Sequence, residues 1–157
     1  HSDEQYDFDG DLTPELIIAE CLKKNTTLKS LNLHGHILYW DGMDESPILQ
    51  AFQSNTTLEE VEIEGGEDKN GLRTSQITDL CQVLEKNSTL KKLSLIAQEY
   101  PDEAVPRIVQ ALEKNTTLIE LDMRQNRFPE NHSSLLLLEN WNKRGKCQIL
   151  HDSLYPN

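Results

Sequence analysis

Three groups of residues have the types and spacing to do chemistry. His34 and His36 form an H-x-H pair, Asp7, Asp9 and Asp11 alternate like the opening of a calcium loop, and Glu60, Glu62 and Glu64 form a column of carboxylates at strand spacing. A zinc site needs at least a third ligand, and none stands at a suitable offset from the two histidines. A calcium loop needs a Gly at its sharp turn and a closing Glu, and both are missing at the required offsets. Cys21, Cys81 and Cys147 suggest no nucleophile–base pair with the histidines, and no glycine-rich stretch could cradle a phosphate. The chain therefore reads as no enzyme, with no metal and no cofactor. The acidic column remains: either it is a solvated sheet face with ladder pairs across the strands, or its oriented carboxylates dock a basic partner segment.

The overall charge narrows the partner. The chain of 157 residues carries 27 acidic and 15 basic side chains, a net charge of -12. Such a surface repels phosphate backbones and anionic bilayers, so neither nucleic acid nor membrane is an expected partner. No apolar run approaches the roughly 20 residues of a membrane span. An odd number of widely spaced cysteines does not form a disulfide framework, so a reducing, cytoplasmic setting is expected. With 36% hydrophobic and 27% charged residues, a packed core is expected. The chain opens on His1-Ser2 rather than Met and is expected to be a fragment carrying an expression remnant.

The elements that position the acidic column follow from a repeat. The tetrapeptide Asn-Thr-Thr-Leu stands at Asn25, Asn55 and Asn115, and Asn-Ser-Thr-Leu at Asn87, with spacings of 30, 32 and 28 residues. After each Asn the same apolar pattern recurs in register: Leu28, Leu31, Leu33; Leu58, Val61, Ile63; Leu90, Leu93, Leu95; Leu118, Leu121, Met123. Its last two positions alternate with polar neighbours, as in a half-buried strand. Before each Asn the period becomes helical. Leu22, Phe52, Leu84 and Leu112 stand three residues upstream, Cys21, Ala51, Val83 and Ala111 four upstream, and Ile18, Ile48, Leu80 and Ile108 seven upstream. Thr13-Pro14 and Ser46-Pro47 read as helix starts, with a capping hydroxyl before Pro, and Asp102 reads as a third cap.

Each unit is thus a helix, a corner and a strand. The corner Asn is expected to adopt the left-handed conformation that ends helices, with the next two hydroxyl residues bonding freed backbone groups. Each corner is also a glycosylation sequon, as is Asn131-His132-Ser133 outside the repeat. Corner chemistry explains the register and glycosylation does not.

Units of about 30 residues stack as an α/β solenoid, with a parallel sheet on the concave side and helices on the convex side. One domain is expected over 1–157. Residues 1–12 form a frayed or degenerate N-terminal cap around Tyr6-Asp7-Phe8, about 13–126 hold four full repeats, and about 127–157 form a C-terminal cap. In that cap a helix is expected from Ser133 to Lys143, with Leu137, Leu138 and Trp141 buried and Gly145 ending it. Cys147-Gln148-Ile149 reads as a last edge strand.

These repeats resemble the leucine-rich repeat in its helix-bearing, ribonuclease-inhibitor-like form. The phrases "CLKKNTTLKSLNL", "AFQSNTTLEEVEI" and "ALEKNTTLIELDM" are similar to repeats of the tropomodulin and leiomodin actin-binding proteins. The resemblance implies a C-terminal actin-binding module that caps or nucleates filaments together with other segments. The leucine-rich pattern also places an Asn three residues beyond the strand's last apolar position. Asn126 satisfies this, whereas His36, Gly66 and Gln98 occupy the other three places.

The strand alternation sets three rungs across the concave face: Ser30, Glu60, Lys92, Glu120; Asn32, Glu62, Ser94, Asp122; and His34, Glu64, Ile96, Arg124. From these, Glu60, Glu62, Glu64, Lys92, Glu120, Asp122 and Arg124 are the expected charged contacts. The loop from His34 to Glu45 carries Ile37, Leu38, Tyr39 and Trp40. Either these residues form an exposed binding edge, with Tyr39 and Trp40 as aromatic anchors, or they fold back over the sheet end. Tyr100 and Phe128 lie on the same rim. The expected function is non-catalytic protein binding by a monomer. An actin pointed-end capping or nucleating role, and a targeting or recognition role within a larger effector or receptor, stand as alternatives.

Overall fold

The computed structural model describes residues 13–34, 45–64, 72–96, 100–126 and 132–152. Helix and strand alternate along the chain. The helices are α1 Pro14–Lys24, α2 Pro47–Ser54, α3 Thr74–Lys86, α4 Ala104–Lys114 and α5 His132–Lys143. The strands are β1 Ser30–His34, β2 Glu60–Glu64, β3 Lys92–Ile96, β4 Glu120–Asp122 and β5 Gln148–Leu150. The strands form one parallel sheet in the order β1-β2-β3-β4-β5, and each helix packs on its neighbours in the chain. A helix is about 10 Å wide and strands sit about 4.8 Å apart, so the helical layer spreads to the outside of the curve. The result is an α/β leucine-rich-repeat solenoid with its sheet on the concave side.

The register follows the apolar pattern. Leu31 pairs with Val61, Val61 with Leu93, Leu93 with Leu121 and Leu121 with Ile149. From Val61 onward these side chains are buried, as are Leu22, Phe52, Leu84 and Leu112 on the facing helices. Each such burial stabilises the fold by about 1.5–3 kcal/mol. The first unit departs from this pattern. Ile18, Leu31 and Leu33 are only partly buried, Leu28 is 36% exposed, and Cys21 is exposed. Helix α1 packs on α2 alone among the described elements, so its outer side lacks the second neighbour that buries Val83 and Ala111.

Thr13 and Ser46 cap as expected, accepting the N–H groups of Leu16 and Leu49 at 3.3 Å. Asp102 does not. The N-cap position of α4 is Glu103, without a side-chain cap, and the Ala104 N–H bonds the Pro101 carbonyl at 2.9 Å. The Pro101 carbonyl thus serves where the Asp102 carboxylate was expected.

The corner asparagines correct the expectation more deeply. Asn25, Asn55, Asn87 and Asn115 are all extended, with φ between -78 and -71, and none is left-handed. Each works through its side chain. Asn87 Oδ1 accepts the N–H groups of Thr89 and Leu90, both at 2.8 Å, and so folds the corner. Its Nδ2 donates upstream to the carbonyls of Phe52 at 2.8 Å and Asn55 at 3.3 Å. Asn55 reaches Leu22 and Asn25 in the same way, and Asn115 reaches Leu84 and Asn87. The repeated Asn is therefore both a turn former and a rivet between units. Of the hydroxyls, Thr57 Oγ1 bonds the Asn25 carbonyl at 3.4 Å, while the first hydroxyl residue of each corner is exposed.

A helix, α5, and a last edge strand, β5, follow the fourth repeat. Gly145 takes φ 69 just after α5, a conformation that glycine adopts without strain. Leu138 and Trp141 are buried, but Leu137 is 38% exposed, and Ser134 takes the inward place. Positions 134, 138 and 141 share a helix face, and Leu137 lies about a quarter-turn away. The edge strand begins at Gln148, with Cys147 buried just before it. Tyr6 and Phe8 lie outside the described residues.

Candidate functional site

The pleat sends alternate residues of β1–β4 onto the concave face, and pairing then aligns them across the sheet. Ser30 pairs with Glu60, Glu60 with Lys92, and Lys92 with Glu120. The second rung runs Asn32, Glu62, Ser94, Asp122 in the same way. Both rungs line one groove of about 330 Å³, whose floor is the backbone side of Leu31, Val61 and Leu93. Its charged walls are Glu60, Glu62, Lys92, Glu120, Asp122 and Arg124.

The electrostatics differ from rung to rung. Lys92 lies between Glu60 and Glu120, yet no ion pair joins it to either among the described residues. The cations of the preceding position do pair: Lys29 and Lys91 both hold Glu59, at 3.3 and 2.5 Å. Those bonds lower the Glu59 pKa, Lys91 contributing most. In the second rung, Asn32 Nδ2 donates to Glu62 Oε1 at 3.1 Å, which orients that carboxylate. Ser94 also lines the groove, and its buried Oγ has no hydrogen-bond partner among the described residues.

The third rung is incomplete. His34 pairs with Glu64 and Glu64 with Ile96, but β4 ends at Asp122, so Arg124 does not extend that rung. Arg124 turns back on Asp122 instead. Its Nε and Nη2 donate to the two carboxylate oxygens at 3.0 and 2.7 Å, and its backbone N–H to Oδ1 at 3.0 Å. This grip holds the buried Asp122 carboxyl below the usual aspartate range. The turn then places Gln125 at φ 59. Asn126 Nδ2 donates to the carbonyls of Leu95 and Met123 at 2.8 and 2.7 Å. Asn126 thus does at the far end of the strand what the corner asparagines do before it.

Of the expected contacts, Glu60, Glu62, Lys92, Glu120, Asp122 and Arg124 come together in the groove, while Glu64 stands on the adjoining rung and is not among its lining residues. Tyr39, Trp40 and Phe128 lie outside the described residues. Tyr100 does not extend a rim: it is 5% exposed and part of the core, and burial raises its pKa. A single tyrosine in a short loop carries no periodicity, so the sequence could not show which way it turned. Asn32 was missed as a contributor because its role depends on a carboxylate 30 residues away. Among the described residues, no group of three or more His, Cys, Asp or Glu could hold a metal ion. No described helix is long and apolar enough to cross a membrane.

No protein-family model matches the sequence, and no curated protein matches it. Solved structures do match. The leiomodin-1 actin-binding site 2 aligns with a TM-score of 0.68 at 15% identity, covering 92% of this chain and 83% of that chain. The tropomodulin C-terminal domain from Caenorhabditis elegans aligns with a TM-score of 0.71 at 12% identity, covering 91% of this chain and 85% of that chain. This chain has the fold of those domains. At these identities the likeness is one of fold alone.

Proposed function

We propose that this protein is a non-catalytic protein-binding module whose concave sheet seats a basic segment of a partner protein. The observation that supports this reading is the alignment of Glu60, Glu62, Glu120 and Asp122 along two rungs of one open groove. Opposite charge would steer and orient the segment. Glu64 extends the acidic column on β2, Lys92 and Arg124 bias the register of the partner's charges, and Ser94 offers a hydroxyl in the groove. One chain carries the whole groove, so a monomer suffices. The three free cysteines fit a reducing, cytoplasmic setting.

Affinity capture with the wild-type chain beside a Glu60/Glu62/Glu64→Lys variant tests this reading. A partner retained by the wild type and lost by the variant supports it; equal retention removes the acidic column.

A second reading is favoured by the fold likeness to the leiomodin-1 actin-binding site and the tropomodulin C-terminal domain. Here the partner is actin, and the module caps or nucleates filaments at the pointed end. Pyrene-actin assays separate the two readings. Altered pointed-end elongation or nucleation favours actin, and no effect ends that reading.

A further inference from the structure

The asparagine ladder stops before the last unit, and a cavity lies where it stops. Asn115 Nδ2 bonds the carbonyls of Leu84 and Asn87, but no asparagine of the next corner reaches Asn115 in turn. Arg144-Gly145-Lys146 occupies that corner. The backbone also differs at this corner. In the first three corners the Asn N–H bonds the carbonyl four residues back; at Asn115 it bonds Leu112, three back, at 3.1 Å. Beside this tightened turn lies a cavity of about 270 Å³, walled by Leu118, Trp141, Cys147 and Lys146. Its one carboxylate, Glu113, is held by both Nη atoms of Arg144, whose guanidinium also lies 4.9 Å over the Trp141 ring.

Two further features surround the cavity. Ile119, next to the lining residue Leu118, is 60% exposed. The same edge of the solenoid gathers cations. Lysines stand in the last turns of α1, α3, α4 and α5, and Lys29, Lys91 and Lys146 stand in the corners. Lysines near helix C-termini complement the helix dipoles, Lys29 and Lys91 are taken up by Glu59 and Lys114 by Glu85, and Lys146 stands in the cavity lining outside any helix. The edge also carries Glu59, Glu85 and Glu113, each paired with a lysine or arginine, yet its cations outnumber these carboxylates in a chain of net charge -12.

We propose that the corner edge between the fourth repeat and the C-terminal cap docks an acidic peptide segment bearing one large apolar side chain. The apolar side chain enters the Trp141–Leu118–Cys147 cavity and covers Ile119, while a flanking carboxylate meets Lys146, which lines the cavity; Lys91 is already held by Glu59. This site is separate from the concave groove and prefers the opposite charge, so it stands whether or not that reading holds. Specificity comes from the combination, since the cavity holds one side chain and Lys146 selects a carboxylate beside it.

The test is an NMR titration of the full chain with an acetylated peptide of glutamates around one central tryptophan. The same peptide with alanine at the centre is the control. The expected result is shift changes at Leu118, Ile119, Lys146 and Cys147, with the alanine peptide at least about tenfold weaker. Lys146→Glu and Ile119→Ser change exposed side chains, keep the folded spectrum, and each weaken the tryptophan peptide about tenfold. Shifts absent at these residues, shifts confined to the concave groove, or unchanged binding by Lys146→Glu overturn the proposal. Tighter binding of phosphatidylserine vesicles or a single-stranded RNA oligonucleotide at this edge also overturns it, since the lysines would then serve a phosphate surface.

Discussion

Asn87 Nδ2 donates to the carbonyl of Phe52 at 2.8 Å, joining the corner of the third unit to the helix end of the second. The same side chain accepts two backbone N–H groups of its own corner. Asn87→Ala removes all of these bonds and leaves buried backbone groups without partners, at an expected cost of about 2–4 kcal/mol. Among the described residues the Asn25 side chain makes only the corner bonds to Thr27 and Leu28, and in an exposed setting. Asn25→Ala should therefore cost less, about 1 kcal/mol. Urea denaturation of both variants checks the order; equal losses would show that the inter-unit bonds contribute nothing.

The stacked strand positions make a second prediction. Leu93 and Leu121 are 1% and 0% exposed and pair across β3 and β4. Either one changed to Ala should cost roughly 2–5 kcal/mol. Leu31, only partly buried in the first unit, should cost clearly less. Denaturation midpoints at constant slope measure this directly.

These two cases show what the sequence makes legible. The period of the leucines places Leu31, Val61, Leu93 and Leu121 side by side, because strand alternation and pairing leave little freedom once the repeat is seen. The recurrence of Asn25, Asn55, Asn87 and Asn115 marks the corners equally well. It does not show their mechanism, since the Nδ2 acceptors lie 28 to 35 residues upstream and meet the side chain only after stacking. Cys21 and Leu137 fail for a related reason. Periodicity identifies a helical face, but an end unit lacks the neighbour that would cover it, and one step of about 100° separates Leu137 from the buried Leu138. The rungs of the groove follow from alternation, whereas the return of Arg124 onto Asp122 depends on where β4 stops.

Asp79 links pH to stability. It is buried on α3, and its Oδ2 accepts the Ser46 N–H at 2.8 Å just before α2. Burial raises its pKa above the ordinary aspartate value of 3.8, and the nearby Glu45 carboxylate adds to that, while the Ser46 N–H bond opposes it. A raised folded-state value means that its favourable contribution is present below 3.8 and is lost as pH rises through the folded value. Asp79→Asn keeps an acceptor for Ser46 and removes the buried charge. The variant should be more stable than the wild type at pH 7, with the difference shrinking as pH falls toward 3.8. Urea unfolding across that range checks it, and a variant less stable at pH 7 would contradict it.

The three thiols should react in order of access. Cys21 is exposed, Cys81 half-buried and Cys147 buried. Burial also raises the thiol pKa of Cys81, and that of Cys147 to about 11, which lowers their thiolate fraction. A disulfide reagent at pH 8 should label Cys21 first and Cys147 only on opening of the C-terminal cap. Mass spectrometry of timed samples gives the order, and early labelling of Cys147 would show that the cap opens readily.

The groove itself is tested most directly by titrating the isotope-labelled chain with a peptide of alternating arginine and alanine and following backbone amide shifts. Binding at the concave face predicts changes clustered at Ser30, Asn32, Glu60, Glu62, Lys92 and Ser94, weakened by added salt and lost in Glu60/Glu62/Glu64→Lys. Changes spread over the helical side, or equal binding by that variant, would contradict a charged docking groove on the sheet.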